Sequence, residues 1–240
     1  MITTDPLVTT NMPEGRRGMT MLVPSDLFRV KSLHDTVLRE PRTAELYVSR
    51  DVRFFARHLG WAGRVLGFFD GAGSLAAYSV LGLPAADAPD NIGWMIGMPP
   101  EERARVAHLD GTAIRPDWRG QGLQRRFTAE RIAMAYSHGK PVLLATCQPD
   151  NDWSLANLLK MGLVVVAFRS KFDKPRLILR RDLDRSRASI APRPGPRVAS
   201  DDFAGHRRAL AEGWFGTAAL RDTSGTLTIV YDAIQTGCLS

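Results

Sequence analysis

The chain has 240 residues, of which 44% are hydrophobic and 24% charged, and its formal net charge is +7 at pH 7. This composition is ordinary for a globular protein with a buried core, and it excludes disorder over most of the length. The positive charge suits an anionic partner such as a nucleotide-like cofactor, a nucleic acid or an acidic surface. A basic charge can also serve solubility alone, so charge does not choose among these.

The cysteines and the N-terminal segment bear on where the protein works. Cys147 and Cys238 are too few for a disulfide framework, which favours a reducing compartment. Residues 1–15 lack the apolar stretch of a secretion signal, and an apolar run such as 163–168 is too short to span a bilayer. We therefore expect a cytoplasmic protein with no membrane partner.

The first part of the chain predicts an arm, a strand, two helices and a hairpin. Residues 1–18 are polar and turn-rich, which is typical of a loose arm. Ser25 or Asp26 can cap the first helix, Pro41 ends it, and Gly60 suits a left-handed cap at the end of the second. The predicted elements are strand 20–24, helices 27–40 and 50–60, and strands 63–70 and 74–83.

One glycine-rich stretch imitates a dinucleotide-binding fingerprint. Gly71, Gly73 and Ala76 have the required spacing, but the fingerprint needs a helix to begin there. Residues 76–83 instead favour a strand, and the Asp70-Gly71 pair is a hairpin signal. We therefore reject a Rossmann interpretation.

The middle of the chain alternates strands and helices. A long loop leads to a strand at 106–114, and a helix that follows is ended by His138 and Gly139. Further strands are predicted at 141–146, 163–172 and 176–183, with a helix at 154–162. Strand-helix-strand connections imply parallel neighbours and a right-handed crossover, so we expect an α/β or mixed α+β domain with one mixed sheet flanked by helices.

The C-terminal part differs in composition. Residues 184–200 are rich in proline and arginine and predict a linker. Residues 201–240 predict a small α-β-β extension, with a helix at 201–213 and strands at 214–220 and 226–232. This extension is too small for a core of its own, so we expect it to pack on a main domain at 19–183.

The stretch RPDWRGQGLQRRF, residues 115–127, stands where a strand turns into a helix. A helix N-terminus presents unpaired backbone N–H groups and the positive end of the helix dipole, and glycine lets an anion approach the backbone closely. Gly120 and Gly122 lie on this turn, with Arg119, Arg125 and Arg126 adding charge. A diphosphate would fit, although a plain basic turn explains the same residues.

The wider context resembles one superfamily. The run from Arg119 through Gly122 to Gln124, together with residues 90–127 and 143–163, resembles the coenzyme-A loop and neighbouring motifs of bacterial GNAT N-acetyltransferases. The resemblance covers about residues 19–183. Two positions depart from the pattern: Gln124 replaces the last glycine or alanine of the loop, and Leu158 replaces a tyrosine that often serves as general acid.

The resemblance implies a site for acetyl-CoA as cosubstrate. Backbone amides of Gln121 to Arg125 would hold the pyrophosphate, and the open edge of the strand at 112–114 would pair with the pantetheine arm. Asn151 and Ser154 would lie beside that arm, although Asn151 could simply cap the helix that follows. The implied cofactor-binding residues are Thr112, Ala113, Ile114, Arg119, Gly120, Gln121, Gly122, Leu123, Gln124, Arg125, Asn151 and Ser154.

Three residues are candidates for catalysis. His108 and Asp110 match positions where family members carry a glutamate or histidine that acts as general base. A histidine with an ordinary pKa near 6.5 suits proton removal, and Asp110 could polarise it. His108 could also be a hydrogen-bonded strand histidine without a catalytic role. Ser154 is a candidate acid, although solvent could supply that proton. A metal site is disfavoured because no third ligand stands at a recognisable spacing, and Cys147 as an acyl carrier is disfavoured because strand-end cysteines are mostly inert.

The expected activity is transfer of an acetyl group from acetyl-CoA directly to a primary amine of a small molecule or peptide. The alternative is a non-catalytic acyl-CoA-binding regulatory module. Nucleic-acid binding through the arginines of 184–200 is the least favoured interpretation. Residues that could line the acceptor cleft or equally belong to the core are Phe54, Phe55, Trp61, Trp94, Met95 and Met98. Trp214 and Phe215 of the extension could cover the acceptor side or mediate a homodimer.

Overall fold

The computed structural model describes residues 18–171, 173–184, 194–221, 223 and 225–233. Most of the expected N-terminal arm, the middle of the expected linker and Cys238 lie outside these residues. Within the described part of the chain, no helix is long and apolar enough to cross a bilayer.

The described strands form a single ten-stranded mixed sheet in the order β1-β2-β3-β4-β5-β7-β6-β9-β10-β8. Neighbouring strands run antiparallel except β4 and β5, which are parallel. The mixed sheet flanked by helices confirms the predicted fold class. The strands are β1 Gly18–Met21, β2 Gly63–Phe69, β3 Leu75–Gly82, β4 Val106–Ile114, β5 Val142–Cys147, β6 Val164–Lys171, β7 Lys174–Asp182, β8 Pro194–Ala199, β9 Trp214–Arg221 and β10 Leu227–Ala233.

Helices cover both faces of the sheet, and strand β3 shows why. Side chains alternate along a strand, so Ala77 and Leu81 face one helical layer while Tyr78 and Val80 face the other. Helices α5 and α6 lie on the first face, and α1 and α3 on the second. The helices are α1 Leu27–Leu38, α2 Pro41–Leu46, α3 Val52–Leu59, α4 Pro100–Arg103, α5 Leu123–Ser137, α6 Asp152–Lys160 and α7 Phe203–Ala211.

Two short helices and the start of the sheet depart from the sequence prediction. Pro41 was expected to end a helix, but α1 ends at Leu38 and Pro41 begins α2. Pro100 likewise begins α4. Proline is well suited to the first turn of a helix because the N–H it lacks has no intrahelical partner there. Strand β1 begins at Gly18, which was assigned to the arm, rather than at residue 20.

Strands β4 and β5 separate soon after they meet. Their parallel pairing covers only Val106–His108 against Val142–Leu144. Beyond that point β4 pairs with β3 alone, and its register shifts by one residue at Asp110–Gly111, which is a β-bulge. The sheet therefore contains an opening between the C-terminal halves of two adjacent strands.

The C-terminal extension continues the sheet rather than forming a separate layer. Residues 194–199, expected to belong to the linker, form β8, so the extension is β-α-β-β rather than α-β-β. Its β9 joins β6 through one bridge, Val165 with Gly216. A Cβ on Gly216 would lie 2.9 Å from Val165 Cβ and from Ile229 Cγ2, so only glycine allows the two strands to approach this closely.

We expect Gly216→Val to weaken the attachment of the extension to β6. The added side chain overpacks a buried contact, which typically destabilises by about 1–3 kcal/mol. Denaturant unfolding and limited proteolysis would measure the effect, with Ala218→Val on the same strand as the matched control. Equal stability of the two variants would show that the bridge is not a close-packed contact.

Candidate active site

The loop before α5 has the geometry of an anion site. Gly120 and Gly122 adopt left-handed backbone conformations, with φ of 78° and 75°. Among the described residues, the backbone amides from Gln121 to Arg125 have no hydrogen-bond acceptor, and the first amide bonded to the loop is that of Arg126, which donates to Gly122 O at 3.1 Å. These free donors converge at the positive end of a fifteen-residue helix.

The side chain of Gln124 is directed toward α6. Its Nε2 donates to Ser154 Oγ at 3.2 Å, and its Oε1 accepts from Asn157 Nδ2 at 2.9 Å. Gln124 therefore makes an interhelical contact, which explains how this position can depart from the usual small residue. Arg119 is engaged elsewhere, since Nη1 binds Glu40 Oε2 at 2.8 Å and Nε binds Ile114 O at 3.2 Å.

Asn151 caps helix α6, as the alternative interpretation of this residue predicted. Its Oδ1 accepts from the backbone amide of Ser154 at 3.2 Å. The neighbouring Cys147 is buried, and burial raises the pKa of its thiol to about 12. A thiol that stays protonated at neutral pH is a poor nucleophile, so Cys147 does not suit the role of acyl carrier.

A cavity of about 110 Å³ occupies the opening between β4 and β5. Gln124 and Ser154 border it from the side of α5 and α6, while Tyr47 and Phe54 border it from the side of α1 and α3. A single water needs on the order of 10–15 Å³ by this kind of measure, so the cavity has room for a small polar molecule. It connects the two faces of the sheet.

Asp110 presents its carboxylate to the cavity, with His58 behind it. His58 Nε2 lies 3.7 Å from Asp110 Oδ2, and His58 Nδ1 lies 2.7 Å from the carbonyl oxygen of Phe54. Because that carbonyl can only accept, Nδ1 carries a proton and Nε2 is the nitrogen available toward Asp110. Gly82 makes room for the carboxylate, since a Cβ there would lie 2.6 Å from Asp110 Oδ2.

The charges around Asp110 keep it ionised. Burial would raise the pKa of this carboxyl, but the neighbouring His108, Arg50, His58 and Lys171 together hold its pKa below the ordinary value. Asp110 is therefore an anion across the neutral range. It suits the binding of a cationic ammonium group.

The structure places His108 in the core. This residue is not among those that line the cavity, and its Nε2 accepts a hydrogen bond from the backbone amide of Ile92 at 3.0 Å. Burial lowers the pKa of His108 to about 4, although Asp110 nearby opposes the shift. His108 is thus a neutral core histidine that binds the loop at Ile92–Ile96, which was the alternative interpretation of the sequence.

Two tyrosines line the cavity that sequence reasoning missed. The hydroxyl of Tyr47 donates to the carbonyl oxygen of Thr112, and burial raises the pKa of Tyr47 to about 12. Tyr78 Oη lies 2.7 Å from His34 Nδ1, and His34 Nε2 accepts from the amide of Arg50 at 2.9 Å. No sequence motif marks either residue. Tyr47 follows the short helix α2, which the sequence did not predict, and Tyr78 lies on the predicted strand β3.

The open edge of β4 has partners in the ligand-free protein. The carbonyl of Thr112 accepts from Tyr47 and that of Ile114 from Arg119, while Thr112 Oγ1 lies 2.6 Å from Ser79 Oγ. Ala113, which lies between Thr112 and Ile114 in the chain, is fully buried. A molecule that pairs with this edge would therefore replace two side-chain contacts.

Most of the proposed cleft aromatics lie elsewhere. Of the six residues considered for the acceptor cleft, only Phe54 lines the cavity. Phe55 and Met98 are core residues, Met95 packs against the core half-buried, and Trp61 and Trp94 are exposed. The extension's Trp214 and Phe215 do not line it. Among the described residues, no group of three or more metal-ligating side chains stands together.

The fold and this site agree with one family of enzymes. Residues 45–163 match the model of the acetyltransferase (GNAT) family, so this part of the chain is a GNAT acetyltransferase domain. The matched range holds the opening between β4 and β5, the loop before α5 and helix α6. The resemblance seen in the sequence is confirmed at the level of the family.

Solved structures share the fold at low sequence identity. The chain is similar to the ribosomal-protein-S18-alanine N-acetyltransferase of Escherichia coli, with 15% identity and a TM-score of 0.51 over 72% of this chain and 97% of that one. It is also similar to yncA of Salmonella typhimurium, solved with its cofactor acetyl-CoA, with 17% identity and a TM-score of 0.54 over 74% and 99%. No curated protein sequence matches the chain.

We expect the stability of the folded protein to fall as the pH drops from about 6.5 to about 4. Burial lowers the pKa of both His34 and His108 to about 4. The unfolded chain takes up protons near pH 6.5 and the folded protein only near pH 4, so acid favours unfolding throughout this interval. Each histidine contributes about 3 kcal/mol to this loss.

Denaturant unfolding of the wild type and of His108→Gln at several pH values would test this. The variant removes one contribution, so the stability lost between pH 6.5 and 4 should shrink by about 3 kcal/mol. Comparing the two proteins cancels the groups that titrate independently of His108, while Asp110, whose pKa His108 lowers, contributes to the difference. The same loss in both would show that His108 is not held neutral in the fold.

Proposed function

We propose that the protein transfers the acetyl group of acetyl-CoA directly to a primary amine of a small molecule or peptide. One observation carries this proposal: the unpaired amides of Gln121–Arg125 lie at the edge of an opening in the sheet whose cavity reaches the opposite face. An anionic cofactor held at the loop could thus meet an acceptor that enters from the other side. The family match and the acetyl-CoA bound in the Salmonella structure support the same assignment.

The residues present fit coenzyme A. The pyrophosphate would bind the loop amides, where Gly120 and Gly122 place no side chain in the way. The pantetheine arm would enter the opening between β4 and β5, beside Ser154 and the main chain of β4 at 112–114. Gln124 does not obstruct this path because its side chain is bound to α6.

The chain offers groups for both proton transfers. When bound, acetyl-CoA supplies an activated thioester carbonyl, so that a C–N bond forms as the C–S bond breaks. The acceptor ammonium loses two protons on the way to the amide. Asp110 would bind the ammonium and pass the first proton toward His58 Nε2, whose other nitrogen is fixed by the carbonyl of Phe54. The second would leave the nitrogen as the C–S bond breaks and balance the proton that the thiolate takes up. Tyr47 stays protonated at neutral pH and would donate a proton to the departing thiolate, in place of the tyrosine that Leu158 replaces.

The alternative is a regulatory module that binds acyl-CoA without turnover. Leu158 at the usual tyrosine position and the burial of His108 favour this alternative. The cavity weighs against it, because a binding module needs no ionised carboxylate and no tyrosine hydroxyl beside the thioester. Ser154 remains a second candidate for the acid, since its hydroxyl also borders the cavity.

We expect acetyl-CoA to bind with sub-millimolar affinity and Gly122→Trp to abolish that binding. The indole would occupy the space where the pyrophosphate approaches the loop amides. Calorimetric titration at two salt concentrations would measure the affinity, which should weaken with salt because charge contributes. Gly139→Trp is the matched control, since Gly139 has a similar φ of 67° at the other end of the same helix.

Retained binding in Gly122→Trp would place the cofactor somewhere other than the loop. A wild type that is folded but binds no acetyl-CoA would show that the stretch is only a basic turn. That result would contradict both the acetyltransferase hypothesis and the regulatory-module hypothesis.

We expect Asp110→Asn and Tyr47→Phe each to lower kcat by at least about 100-fold while acetyl-CoA affinity is kept, because general acid–base groups contribute on that scale. His108→Gln should lower kcat by less than tenfold. Steady-state kinetics with an amine panel and calorimetry of each variant would measure both quantities. A larger loss for His108→Gln than for Asp110→Asn would restore His108 as the base.

A further inference from the structure

One buried arginine of the cavity has no partner. Arg176 on β7 is only 5% exposed and lines the cavity. Among the described residues, its Nε and Nη2 have no hydrogen-bond partner. Burial lowers the pKa of Arg176, and the charge of the nearby Asp150 opposes that shift without a hydrogen bond between the two side chains. Buried guanidinium groups are normally paired, because removing a charge from water without compensation is costly. An unpaired one that faces a cavity indicates a missing anionic ligand.

A second orphan group stands beside it. Cys147 of β5 pairs with Leu177 of β7, so Gln148 stands next to Arg176 on the same face of the sheet. Gln148 is also 5% exposed and lines the cavity, and its Oε1 has no partner among the described residues. A donor and an acceptor that both lack partners in one cavity fit a ligand that carries both kinds of group.

The contrast with Arg180 shows that the chain pairs its other buried arginine on this strand. Arg180 lies four residues further along β7, also at 5% exposure. It binds Asp182 at 2.8 Å and contacts Glu102. The missing partner of Arg176 is therefore a local feature of the cavity and not a property of the strand.

The charge of the cavity favours an anion with an ammonium group. Arg50, Arg131 and Arg176 line it, against a single carboxylate, that of Asp110. Arg131 donates from Nη1 to the carbonyls of Val80 and Asp110, while its Nε has no partner among the described residues. The lining therefore carries more positive than negative charge, with Asp110 as its carboxylate, which is the complement of a zwitterion. Asp150 lies outside the lining, where it accepts from Gln148 Nε2 at 3.4 Å and offsets part of the charge of Arg176.

We propose that Arg176, with Gln148 beside it, binds the carboxylate of the acceptor, so that the acceptor is a small α-amino acid or a similar amine with a nearby carboxylate. This inference rests on the proposed function, since it assigns the acceptor of the same reaction. Asp110 would hold the amino group and Arg176 the carboxylate. The same surplus of positive charge disfavours polyamines.

A carboxylate could also enter on the acyl group, as in a dicarboxylic acyl-CoA, and the test separates the two sources. Each L-α-amino acid would be compared with its neutral carboxamide as acceptor of acetyl from acetyl-CoA. We expect kcat/KM to be about 100-fold higher for the carboxylate member. The amine of an amino acid carboxamide is less basic, so more of it is unprotonated and reactive at neutral pH. A preference for the carboxylate member would therefore not come from the reactivity of its amine. In parallel, the rates with acetyl-CoA and with succinyl-CoA would be compared, using one acceptor amine that carries no carboxylate.

The variants are Arg176→Met, which keeps the volume without the charge, and Arg176→Gln as a second neutral form. Both should bring the carboxylate-to-carboxamide ratio close to one. Arg176→Met should also raise the midpoint of thermal unfolding of the ligand-free protein, because it removes an unpaired buried charge. Arg180→Met is the matched control and should lower that midpoint, because it leaves Asp182 and Glu102 without their partner.

The outcomes separate this inference from the proposed function. Equal acetylation of acids and carboxamides would overturn the inference and leave the acetyltransferase intact. A preference for succinyl-CoA that Arg176→Met removes would assign the arginine to the acyl group and overturn it as well. Calorimetric binding of amino acids that depends on Arg176, without turnover, would support the carboxylate site and count against catalysis.

Discussion

The separation of β4 from β5 is the constraint on which the rest of the site depends. Two adjacent strands that part inside a sheet leave backbone groups without ladder partners, and such groups must be satisfied in another way. Here side chains do so. Tyr47 and Arg119 bind the carbonyls of Thr112 and Ile114 on β4. Arg131 reaches from α5 to the bulge between β3 and β4, where it binds the carbonyls of Val80 and Asp110 at 3.0 and 2.9 Å. The opening is therefore stabilised by polar contacts from both helical layers.

The same opening explains why charged groups are buried there. Burial lowers the pKa of Arg131 to about 10, and Arg176 and Asp110 are also withdrawn from bulk water. Such groups reduce the stability of a folded chain unless they are paired, and proteins retain them mainly where binding or chemistry needs them. Apolar packing on the α5 and α6 side of the sheet, around Phe127 and Leu155, stabilises the fold against this cost.

The sequence predicted the order of the main elements and the loop before α5, because both depend on local signals. Hydrophobic periodicity marks strands and helices, and Gly120 and Gly122 mark a turn that only glycine adopts easily. It did not predict Tyr47, His58 or Arg176 as site residues. These come from α2, α3 and β7, which are distant in the chain, and nothing in their immediate neighbours distinguishes them from surface or core positions. For His108, the sequence predicted the place on strand β4, but alternation alone could not show how deeply the side chain is buried.

The extension has a consequence for the edges of the sheet. It joins β6 at the single bridge of Val165 with Gly216 and makes β8 the last strand on that side of the sheet. Strand β8 carries Pro194 and Pro196, which lack an N–H, and the opposite edge is β1, only four residues long. Short or proline-bearing edges resist the addition of a strand from another molecule. The extension thus ends this side of the sheet on a strand that is poorly suited to amyloid-like growth or to edge-to-edge pairing of two copies.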